Sequence, residues 1–337
     1  MKISVLIFIF SIIPAAVSLG SAIPEGDSLT VMFWNLENFF DWKADTVLRN
    51  DSEQEFTSFG RRRWTRGRFE RKCRAIAKVV MWIADGEGAM PDVIGLAEVE
   101  NRFVLERLLR DTPLSRAGYG IVHYDSPDPR GIDVALLYRR ERLRILSSHP
   151  IGVGARDGPE FRTRDILLVE FHGGGKDSIA FLVNHHPSKY GGDSDRKRKE
   201  AMRCLWEATD SLFSSGCRNV VAMGDFNDSP ASTESYSRTM VNLAVPLAKR
   251  GEGTIKYAGR WELIDMFFVS PSLAGKTTGM RIARVPFLTV RDNAHSGEKP
   301  LRTYTGPRYT GGVSDHRPIV LKVVGDFPII SVNSQRE

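Results

Sequence analysis

The 337-residue sequence is poor in cysteine and lacks the features that usually divide a chain into separate parts. Its three cysteines, Cys73, Cys204 and Cys217, are scattered and form no CxxC pair. This pattern excludes a full disulfide framework and argues against zinc ligation by thiolates. A Cys204–Cys217 bridge and two buried thiols both remain compatible with it. No Ser/Gly-rich linker, internal repeat or low-complexity tract is present, so residues 23–337 are predicted to form a single domain.

Long apolar runs are absent after the first 22 residues. Lys2 precedes an apolar run of about fifteen residues at positions 3–17, and small residues follow up to Ala22. This order is typical of a secretory signal peptide, and the run is shorter than the roughly 20 residues of a membrane-spanning helix. We therefore expect residues 1–22 to be a signal peptide and the mature protein to be extracytoplasmic, either periplasmic or secreted. The alternative is a retained membrane anchor.

The positive charge of the chain is concentrated in one segment. The net charge is +6, or +5 without Lys2, yet residues 61–78 alone contribute +8, with nine Arg or Lys against a single Glu. The rest of the mature chain therefore carries a net charge of −3. This distribution predicts a local basic patch rather than a generally cationic protein.

Polar or ionisable residues follow several short apolar runs that are predicted to be strands. The predicted strands cover residues 29–34, 93–97, 132–138, 166–171, 178–183, 219–223, 263–269 and 318–323. Residues 68–84 and 196–213 have the spacing of amphipathic helices, and residues 41–66 are predicted to be an irregular insertion. Helices alternate only partly with strands, so the pattern does not require a purely parallel sheet. A side chain at the end of a strand is held more rigidly than one at the tip of a loop. Several such side chains at one edge of a sheet are therefore expected to face a shared cleft.

The residues at these strand ends suit metal-assisted cleavage of a phosphate ester. Such a reaction needs a cation near the phosphoryl oxygens, a base for the attacking water and stabilisation of the leaving oxygen. Asn35 and Glu98 offer hard oxygen ligands, and Asp315 adds a third. Oxygen ligands of this kind favour Mg²⁺, with Mn²⁺ as an alternative, over a soft metal.

His316, beside Asp315, is the candidate general base. An imidazole near its unperturbed pKa can take a proton from water at neutral pH, a contribution of about 10²–10⁴ in rate. Such a base needs an acceptor on its other ring nitrogen. Asp265 lies within the apolar run at 263–269 and is the predicted acceptor, with a structural salt bridge as the alternative.

Two further pairs of polar residues follow strands. His185 is the predicted hydrogen-bond or proton donor to the phosphate, whereas His186 is expected to pack, and spacing to Pro187 favours this choice. Asp225 and Asn227 are two positions apart, so an extended chain would point both side chains the same way. That arrangement would let them orient water and bind a phosphate oxygen.

Taken in order, these motifs resemble the endonuclease/exonuclease/phosphatase superfamily, which includes deoxyribonuclease I. The matching segments span residues 34–318 and are WNLEN at 34–38, GLAEVEN at 95–101, GIDVALLY at 131–138, NHHPS at 184–188, GDFN at 224–227, ID at 264–265 and SDH at 314–316.

The resemblance implies a four-layer α/β/β/α sandwich, with two mixed sheets face to face and helices outside. It also implies Mg²⁺-dependent hydrolysis by in-line attack of water. The residues that it implies as metal ligands are Asn35, Glu98 and Asp315, and those that it implies as catalytic are His185, Asp225, Asn227, Asp265 and His316. Many relatives have tryptophan where this chain has His186, and Asp133 is predicted to orient His185.

The basic segment 61–78 indicates which ester is cleaved. Trp64 and Phe69 lie among its arginines, so the segment is predicted to follow a nucleic-acid backbone, with solvated helix faces as the alternative. The candidate substrate-binding residues are Asp133, Lys189, Arg63 and Arg66. A nuclease is therefore the leading hypothesis, and we expect a monomer without a protein partner. The alternatives are a phosphatase or phosphodiesterase for small or lipid headgroup esters and a non-catalytic nucleic-acid-binding protein.

Overall fold

Two mixed sheets of six strands each form the centre of the molecule. The computed structural model describes residues 28–43, 54–154, 161–173, 177–189, 193–234 and 239–325, so the predicted signal peptide lies outside the described residues. With strands numbered along the chain, the first sheet contains β1 (Ser28–Phe39), β2 (Val93–Val99), β3 (Tyr119–His123), β4 (Asp133–Arg139), β13 (Thr277–Ile282) and β18 (Ile319–Val324). The second contains β5 (Ile145–Ile151), β6 (Ile166–His172), β7 (Ser178–His185), β8 (Asn219–Asp225), β9 (Val241–Asn242) and β12 (Asp265–Val269).

Each sheet contains a single parallel pair among its neighbouring strands. The first sheet has the order β13-β18-β1-β2-β4-β3, in which only β1 and β2 run parallel. The second has the order β5-β6-β7-β8-β12-β9, in which only β7 and β8 run parallel. Three two-stranded hairpins complete the strands: β10 (Ile255–Tyr257) with β11 (Arg260–Glu262), β14 (Thr289–Arg291) with β15 (Glu298–Pro300), and β16 (Tyr304–Thr305) with β17 (Arg308–Tyr309).

Helices cover the outer faces of both sheets. The α-helices are α1 (Arg66–Glu87), α2 (Arg102–Arg110), α3 (Ser194–Ser214), α4 (Pro230–Glu234), α5 (Val245–Lys249) and α6 (Pro271–Ala274), and 3₁₀ turns cover Pro113–Arg116 and Pro286–Leu288. Apolar side chains of α1 and α2 pack in one core with the first sheet, and those of α3 pack with the second. The predicted four-layer sandwich is confirmed. Within the described ranges, no helix has the length and apolarity needed to span a membrane.

Strand β1 is apolar on both faces because both faces are covered. Val31 and Phe33 lie in the core between the sheets, whereas Met32 and Trp34 pack in the core under α1. This arrangement explains the unbroken apolar run at residues 29–34, which a strand with one solvated face would not have. The strand continues beyond the predicted end, and its pairing with β2 shifts register between Asn35 and Phe39.

Helix α1 forms where the apolar spacing predicts it. The Thr65 side chain caps its N-terminus by accepting a hydrogen bond from the Arg68 N–H, and Gly88 ends it in the left-handed conformation with φ of 79°. Phe69 and Ile76 lie on its buried face. The helix covers Arg66–Glu87, so it extends less than one turn beyond each end of the predicted range 68–84. Differences of this size are usual at helix ends.

All three cysteines are buried free thiols. Cys73 lies on the inner face of α1, and Cys204 and Cys217 lie within and just after α3. Burial raises the pKa of the Cys73 thiol to about 12, and it also raises the pKa of the other two thiols. Of the two sequence-based alternatives for Cys204 and Cys217, the structure therefore shows buried thiols and no bridge.

The pairing of β7 with β8 requires a glycine at position 224. A Cβ atom at Gly224 would lie 2.4 Å from the backbone oxygen of Asn184 on β7, closer than real Cβ atoms come to backbone. Gly224 and Asn184 are register partners, and the next pair along the strands is His185 with Asp225. The glycine therefore sets how closely the strands that carry these two polar residues approach each other.

We expect Gly224→Ala to lower the free energy of unfolding by about 1–3 kcal/mol, because the added methyl group must push β7 away from β8. Gly86→Ala in α1 is the matched control, since nothing lies within 4 Å of its Cβ position. The control should be stabilised by about 0.5–1 kcal/mol, because alanine favours the helix. Urea unfolding of the two variants measures both values. A Gly224→Ala protein as stable as wild type would contradict the close-approach argument.

Candidate active site

Asp225 lies at the centre of a buried polar cluster where the two sheets meet. Its Oδ2 accepts a hydrogen bond from Asn35 Nδ2 at 3.0 Å. The same oxygen lies 3.7 Å from Nε2 of His185 and 3.7 Å from Nε2 of His316. One carboxylate oxygen therefore faces side chains from the first sheet, from β7 and from the loop before β18. The predicted residues Asn35, His185, Asp225 and His316 are together in space.

Asp265 holds the ring of His316 from the other side. The Oδ2 atom of Asp265 lies 2.8 Å from His316 Nδ1, and both side chains are buried. Asp265 begins β12 and is the register partner of Asp225 on β8. The sheet pairing thus brings the two carboxylates to opposite nitrogens of one imidazole. This is the hydrogen bond that the sequence predicted for Asp265.

The protonation of His316 differs from the sequence expectation of an imidazole near its unperturbed pKa. Burial lowers the pKa of His316, but Asp265 and Asp225 outweigh it and raise the pKa well above 6.5. Burial raises the pKa of Asp225, although the positive charge on His316 opposes this. The two carboxylates therefore favour the protonated form of His316 in the cluster as it stands.

His185 is neutral and faces the same cleft. Its Nε2 lies 3.9 Å from Glu98 Oε1, and its Nδ1 has no hydrogen-bond partner among the described residues. Burial lowers the pKa of His185 well below 6.5, and the nearby Arg164 and Arg130 lower it further. A neutral ring can donate one N–H to an anion but has no spare proton to release. Of the two predicted functions, this protonation state suits hydrogen bonding rather than acid catalysis.

His186 points elsewhere, as the sequence predicted. Its ring packs edge-on against Phe226, with centroids 4.8 Å apart, and burial lowers its pKa to about 3. The carbonyls of both histidines are held by the buried side chain of Arg164, with distances of 3.1 Å to His185 and 2.6 Å to His186. Arg164 also pairs with Asp128 at 2.9 Å. Arg164 was not predicted, yet it anchors the backbone that carries His185.

Asn227 does not point the same way as Asp225, so the extended-chain prediction is wrong. The backbone turns at Asn227 with φ of 49°, and its N–H donates to Asp225 Oδ1 at 3.0 Å. Its Nδ2 donates to the carbonyl of His186 at 3.0 Å. Asn227 therefore joins the chain after β8 to the chain after β7, and its side chain is half-buried at the edge of the cluster.

The turn that carries His316 is tied directly to β1. The Ser314 hydroxyl donates to the backbone carbonyl of Asn35 at 2.6 Å and accepts the His316 N–H at 2.9 Å. The indole Nε1 of Trp34 donates to the His316 carbonyl at 2.9 Å. Two of these bonds, those from Ser314 to Asn35 and from Trp34 to His316, link residues about 280 positions apart in sequence. They explain why the SDH and WN motifs belong to one site.

A second charged layer, which the sequence analysis missed, lies behind Asp315. Arg302 bridges Glu37 and Asp315, with distances of 2.7 Å and 2.9 Å. Lys72 is buried and donates to the Glu37 carbonyl at 2.6 Å and to the Thr303 hydroxyl at 2.9 Å. Burial, followed by the charge of Asp315, raises the pKa of Glu37 to about 7, and burial lowers the pKa of Lys72 to about 8.

Lys72 also corrects the sequence interpretation of segment 61–78. Lys72 follows Phe69 by three positions and precedes Ile76 by four, so it shares their buried helix face. Trp64 and Phe69 are fully buried and cannot contact a substrate strand. The prediction that these two rings follow a nucleic-acid backbone is therefore wrong, whereas the helical spacing that places Phe69 on the apolar face is correct.

The predicted substrate-binding residues lie outside the central cluster. Asp133 is buried against His123, 3.2 Å away, and its other oxygen accepts the Ser126 N–H at 2.9 Å. It does not bind His185 Nδ1, so that prediction is wrong. Lys189 pairs with Glu262 at 3.0 Å on the surface. Arg63 and Arg66 are exposed at the start of α1.

The oxygen ligands of the cluster fit a hard divalent cation. Glu98 Oε2 accepts the Asn38 N–H at 2.7 Å, while its Oε1 lies 3.9 Å from His185 Nε2 and 3.9 Å from Arg130 Nη1. Asn35 Oδ1 accepts the Glu37 N–H at 2.9 Å and keeps a second lone pair. Carboxylate and amide oxygens of this kind are the ligands that a hard cation such as Mg²⁺ prefers.

A second set of ligand atoms is also close enough to share an ion. The ligand atoms of Asp225, Asp265 and His316 lie within 4.8 Å of one another. In this set, however, a cation would compete with the protonated His316 for the two carboxylates. The set that contains Glu98 does not require His316 to lose its proton, and it therefore fits a metal better.

Comparison with known proteins supports the sequence resemblance. The profile of the Endonuclease/Exonuclease/phosphatase family matches residues 30–324. A search of curated protein sequences finds no match. Among solved structures, D. rerio TDP2 complexed with a single-strand DNA product is 15% identical, with a TM-score of 0.52, and covers 88% of this chain and 98% of that chain.

Two further solved structures share the fold. A Bacteroides thetaiotaomicron mannosyl-6-phosphatase is 18% identical, with a TM-score of 0.54 and coverage of 88% of this chain and 99% of that chain. The human Nocturnin catalytic domain with a bound sulfate anion is 17% identical, with a TM-score of 0.53 and coverage of 88% and 93%. At these identities the similarity establishes the fold and leaves the substrate undefined.

We expect Asp265→Asn to lower the free energy of unfolding near pH 6 by about 3–5 kcal/mol, because it leaves a buried imidazolium without its nearest carboxylate. The folded-state pKa of His316 is raised. The stabilisation is therefore complete below the unfolded value of about 6.5 and is lost as the pH rises through the folded value. Urea unfolding in EDTA at about pH 6 and about pH 9.5 should show the larger cost at the lower pH.

The Asp265→Asn/His316→Gln double variant is the control for this prediction. It has no buried cation to leave unpaired, so near pH 6 it should be more stable than the sum of the two single substitutions implies. An Asp265→Asn cost that is equal at both pH values would contradict a titration of His316 between them.

Proposed function

The chain belongs to the endonuclease/exonuclease/phosphatase family, whose members are phosphoesterases, and we propose that it is a Mg²⁺-dependent nuclease. The observation that carries the proposal is the convergence of His185 and His316 on a single oxygen of Asp225, with Glu98 beside them. A neutral His185, a protonated His316 and the Glu98 carboxylate provide the groups that phosphodiester hydrolysis needs.

The metal site of this proposal consists of Glu98 and Asn35, with Asp315 next to them. Mg²⁺ at this position, or Mn²⁺ in its place, would neutralise charge on the phosphoryl oxygens. The remaining work falls to the protein side chains. The N–H of neutral His185 binds a phosphate oxygen. Asn227 bonds to Asp225 after β8 and to the His186 carbonyl after β7, and so holds the ends of these two strands at a constant separation.

His316 is the proton-handling residue of the proposed reaction. Its Nε2 faces the cleft, and Asp265 fixes its orientation through Nδ1. To act as a base, the ring must first release its proton to solvent, and a cation held beside Asp315 would supply opposing positive charge that favours this release. The deprotonated ring then accepts a proton from the attacking water, and Asp265 stabilises the imidazolium that forms.

Nucleic acid is the proposed substrate because α1 and the loop before it expose a set of arginines. Arg61, Arg63, Arg66 and Arg74 are exposed on α1 and the loop before it, although Arg61 and Arg66 also pair with Glu55 and Glu70. Cationic side chains at this position would attract the phosphates that flank the scissile bond. The segment at residues 1–22 supports an extracytoplasmic location for this activity.

The test is hydrolysis of plasmid DNA, RNA and bis(p-nitrophenyl) phosphate by the mature protein with Mg²⁺, alongside His316→Ala. We expect nucleic-acid cleavage that falls by about 10²–10⁴ in the variant, because the proton-accepting ring is gone. Cleavage should also weaken steeply between low and moderate salt, since phosphate contacts release counterions. Hydrolysis of the small ester alone would instead indicate a small-molecule phosphodiesterase, and binding without turnover would indicate a non-catalytic protein.

Metal binding is tested separately from turnover by thermal unfolding. Saturating Mg²⁺ should stabilise the wild-type protein, by about 2.7 kcal/mol at a concentration of 100 times Kd, because the ion binds only the folded cluster. Glu98→Gln should lose this stabilisation. Glu262→Gln, which removes an exposed carboxylate paired with Lys189, is the control and should keep it. An unchanged Mg²⁺ effect in Glu98→Gln would move the metal to other ligands.

A further inference from the structure

An aromatic side chain stands fully in solvent beside the candidate active site. Phe59 is 99% exposed, more than any other large apolar side chain among the described residues. It belongs to the loop at residues 54–64, here named the rim loop, and Arg61 and Arg63 follow it closely. A fully exposed phenylalanine buries no apolar area in the folded chain, so its ring is available to a ligand.

The rim loop is rigid, so the exposure of Phe59 does not result from local disorder. The Arg62 N–H donates to the Glu55 carbonyl at 3.0 Å, and the Trp64 N–H donates to the Thr57 carbonyl at 2.8 Å. A Cβ atom at Gly60 would lie 2.2 Å from the Gln54 carbonyl oxygen, which shows how tightly the loop closes. These contacts hold Phe59 at the tip and point it outward.

The rim loop is also attached to the elements that carry the catalytic cluster. The buried indole of Trp64 donates to the carbonyl of Phe40, just after β1, at 2.8 Å. The Tyr304 hydroxyl donates to the Arg62 carbonyl at 2.9 Å, and the Arg62 guanidinium donates to the Gly306 carbonyl. The loop therefore keeps a constant position relative to Asn35 and Glu37 on β1.

A cavity of about 220 Å³ lies between the rim loop and the cluster. Phe56 and Arg62 line it on the loop side, and Glu37, Asn38 and Arg302 line it on the side of the cluster. Asn38 donates its N–H to Glu98, and Arg302 pairs with Asp315. The cavity therefore joins the rim loop to residues that contact Glu98 and Asp315.

The chemistry of the loop tip favours a nucleic-acid strand over a lipid surface. Membrane insertion needs a contiguous apolar face, whereas Phe59 has Ser58, Gly60 and Arg61 as its sequence neighbours. An isolated ring followed by three arginines matches a base and the phosphates on one side of it. Arg61 and Arg62 both pair with Glu55, and Arg63 is a third arginine against this single carboxylate, so the loop keeps a net positive charge.

We propose that Phe59 is a stacking platform for an unpaired base of the substrate and that Arg63 binds the adjacent phosphate. This inference rests on the proposed nuclease function. Bases in a duplex are already stacked on each other and offer no free face, so the platform selects single-stranded nucleic acid or single-stranded ends. The enzyme therefore holds its substrate at two points, the metal cluster and the loop tip.

The experiment uses four inactive proteins that all carry His316→Ala. One has no further change and is the reference, and the others add Phe59→Ala, Phe59→Trp or Trp82→Ala. Trp82 is a partly exposed aromatic on α1 and serves as the control outside the rim loop. Fluorescence anisotropy with Mg²⁺ measures Kd for a labelled oligonucleotide of roughly 12 nucleotides, both single-stranded and as a duplex. Phe59→Ala should weaken single-strand binding by about 5- to 100-fold, Phe59→Trp should restore it and Trp82→Ala should leave it unchanged.

Kinetic measurements on the same Phe59 variants with His316 intact distinguish a loss of substrate binding from a loss of the chemical reaction. With each preparation normalised to its rate on bis(p-nitrophenyl) phosphate, Phe59→Ala should raise KM for the single-stranded oligonucleotide much more than it lowers kcat. The platform would be overturned if Phe59→Ala bound the single strand as tightly as the reference protein, or if it lost the same affinity for single strand and duplex. The proposed nuclease function would stand in both cases. Hydrolysis of the small ester with no binding of either oligonucleotide would overturn the nucleic-acid substrate itself.

Discussion

The burial of the Asp225 carboxylate is the constraint that organises this structure. A carboxylate taken out of water is costly unless other groups compensate it, and here the compensation comes from distant parts of the chain. Asn35 belongs to the first sheet, His185 to the neighbouring parallel strand, and His316 to the last turn before β18. Several features of the structure keep these three side chains close to one oxygen of Asp225. They are the packing of the two sheets, the absence of a side chain at Gly224 and the hydrogen bonds of Ser314.

Most of the central strands could be predicted because burial on both faces leaves long apolar runs. The strands that were missed are the ones that lack this signal. β5 is mostly half-buried or exposed, β3 is short, and β13 contains threonines and Gly279, so none of the three stands out from a loop. Helix α2 was missed for a different reason: its nine residues contain only three that are buried. Edge and surface elements obtain their structure from neighbours that a single sequence does not reveal.

The candidate site was predictable where a residue follows an apolar run, as Glu98, His185 and Asp225 do. Prediction failed where a contact depends on a turn or on the partner strand. Asn227 adopts a positive φ that no extended-chain rule anticipates, and Asp133 meets His123 only because β3 and β4 pair. Lys72 and Glu37 were overlooked because a buried ion network is invisible until the elements around it are assembled. The spacing of Lys72 from Phe69 and Ile76 was the one available sign.

The three buried thiols give the molecule its own reporters of local opening. A thiol reagent reacts with the thiolate, and burial makes the thiolate of each cysteine scarce in the folded state. Cys73 lies in the helical layer over the first sheet, while Cys204 and Cys217 lie in the layer over the second. The rate at which each thiol is labelled therefore measures how often its own layer opens, and the two halves of the sandwich can be timed independently without a single engineered residue.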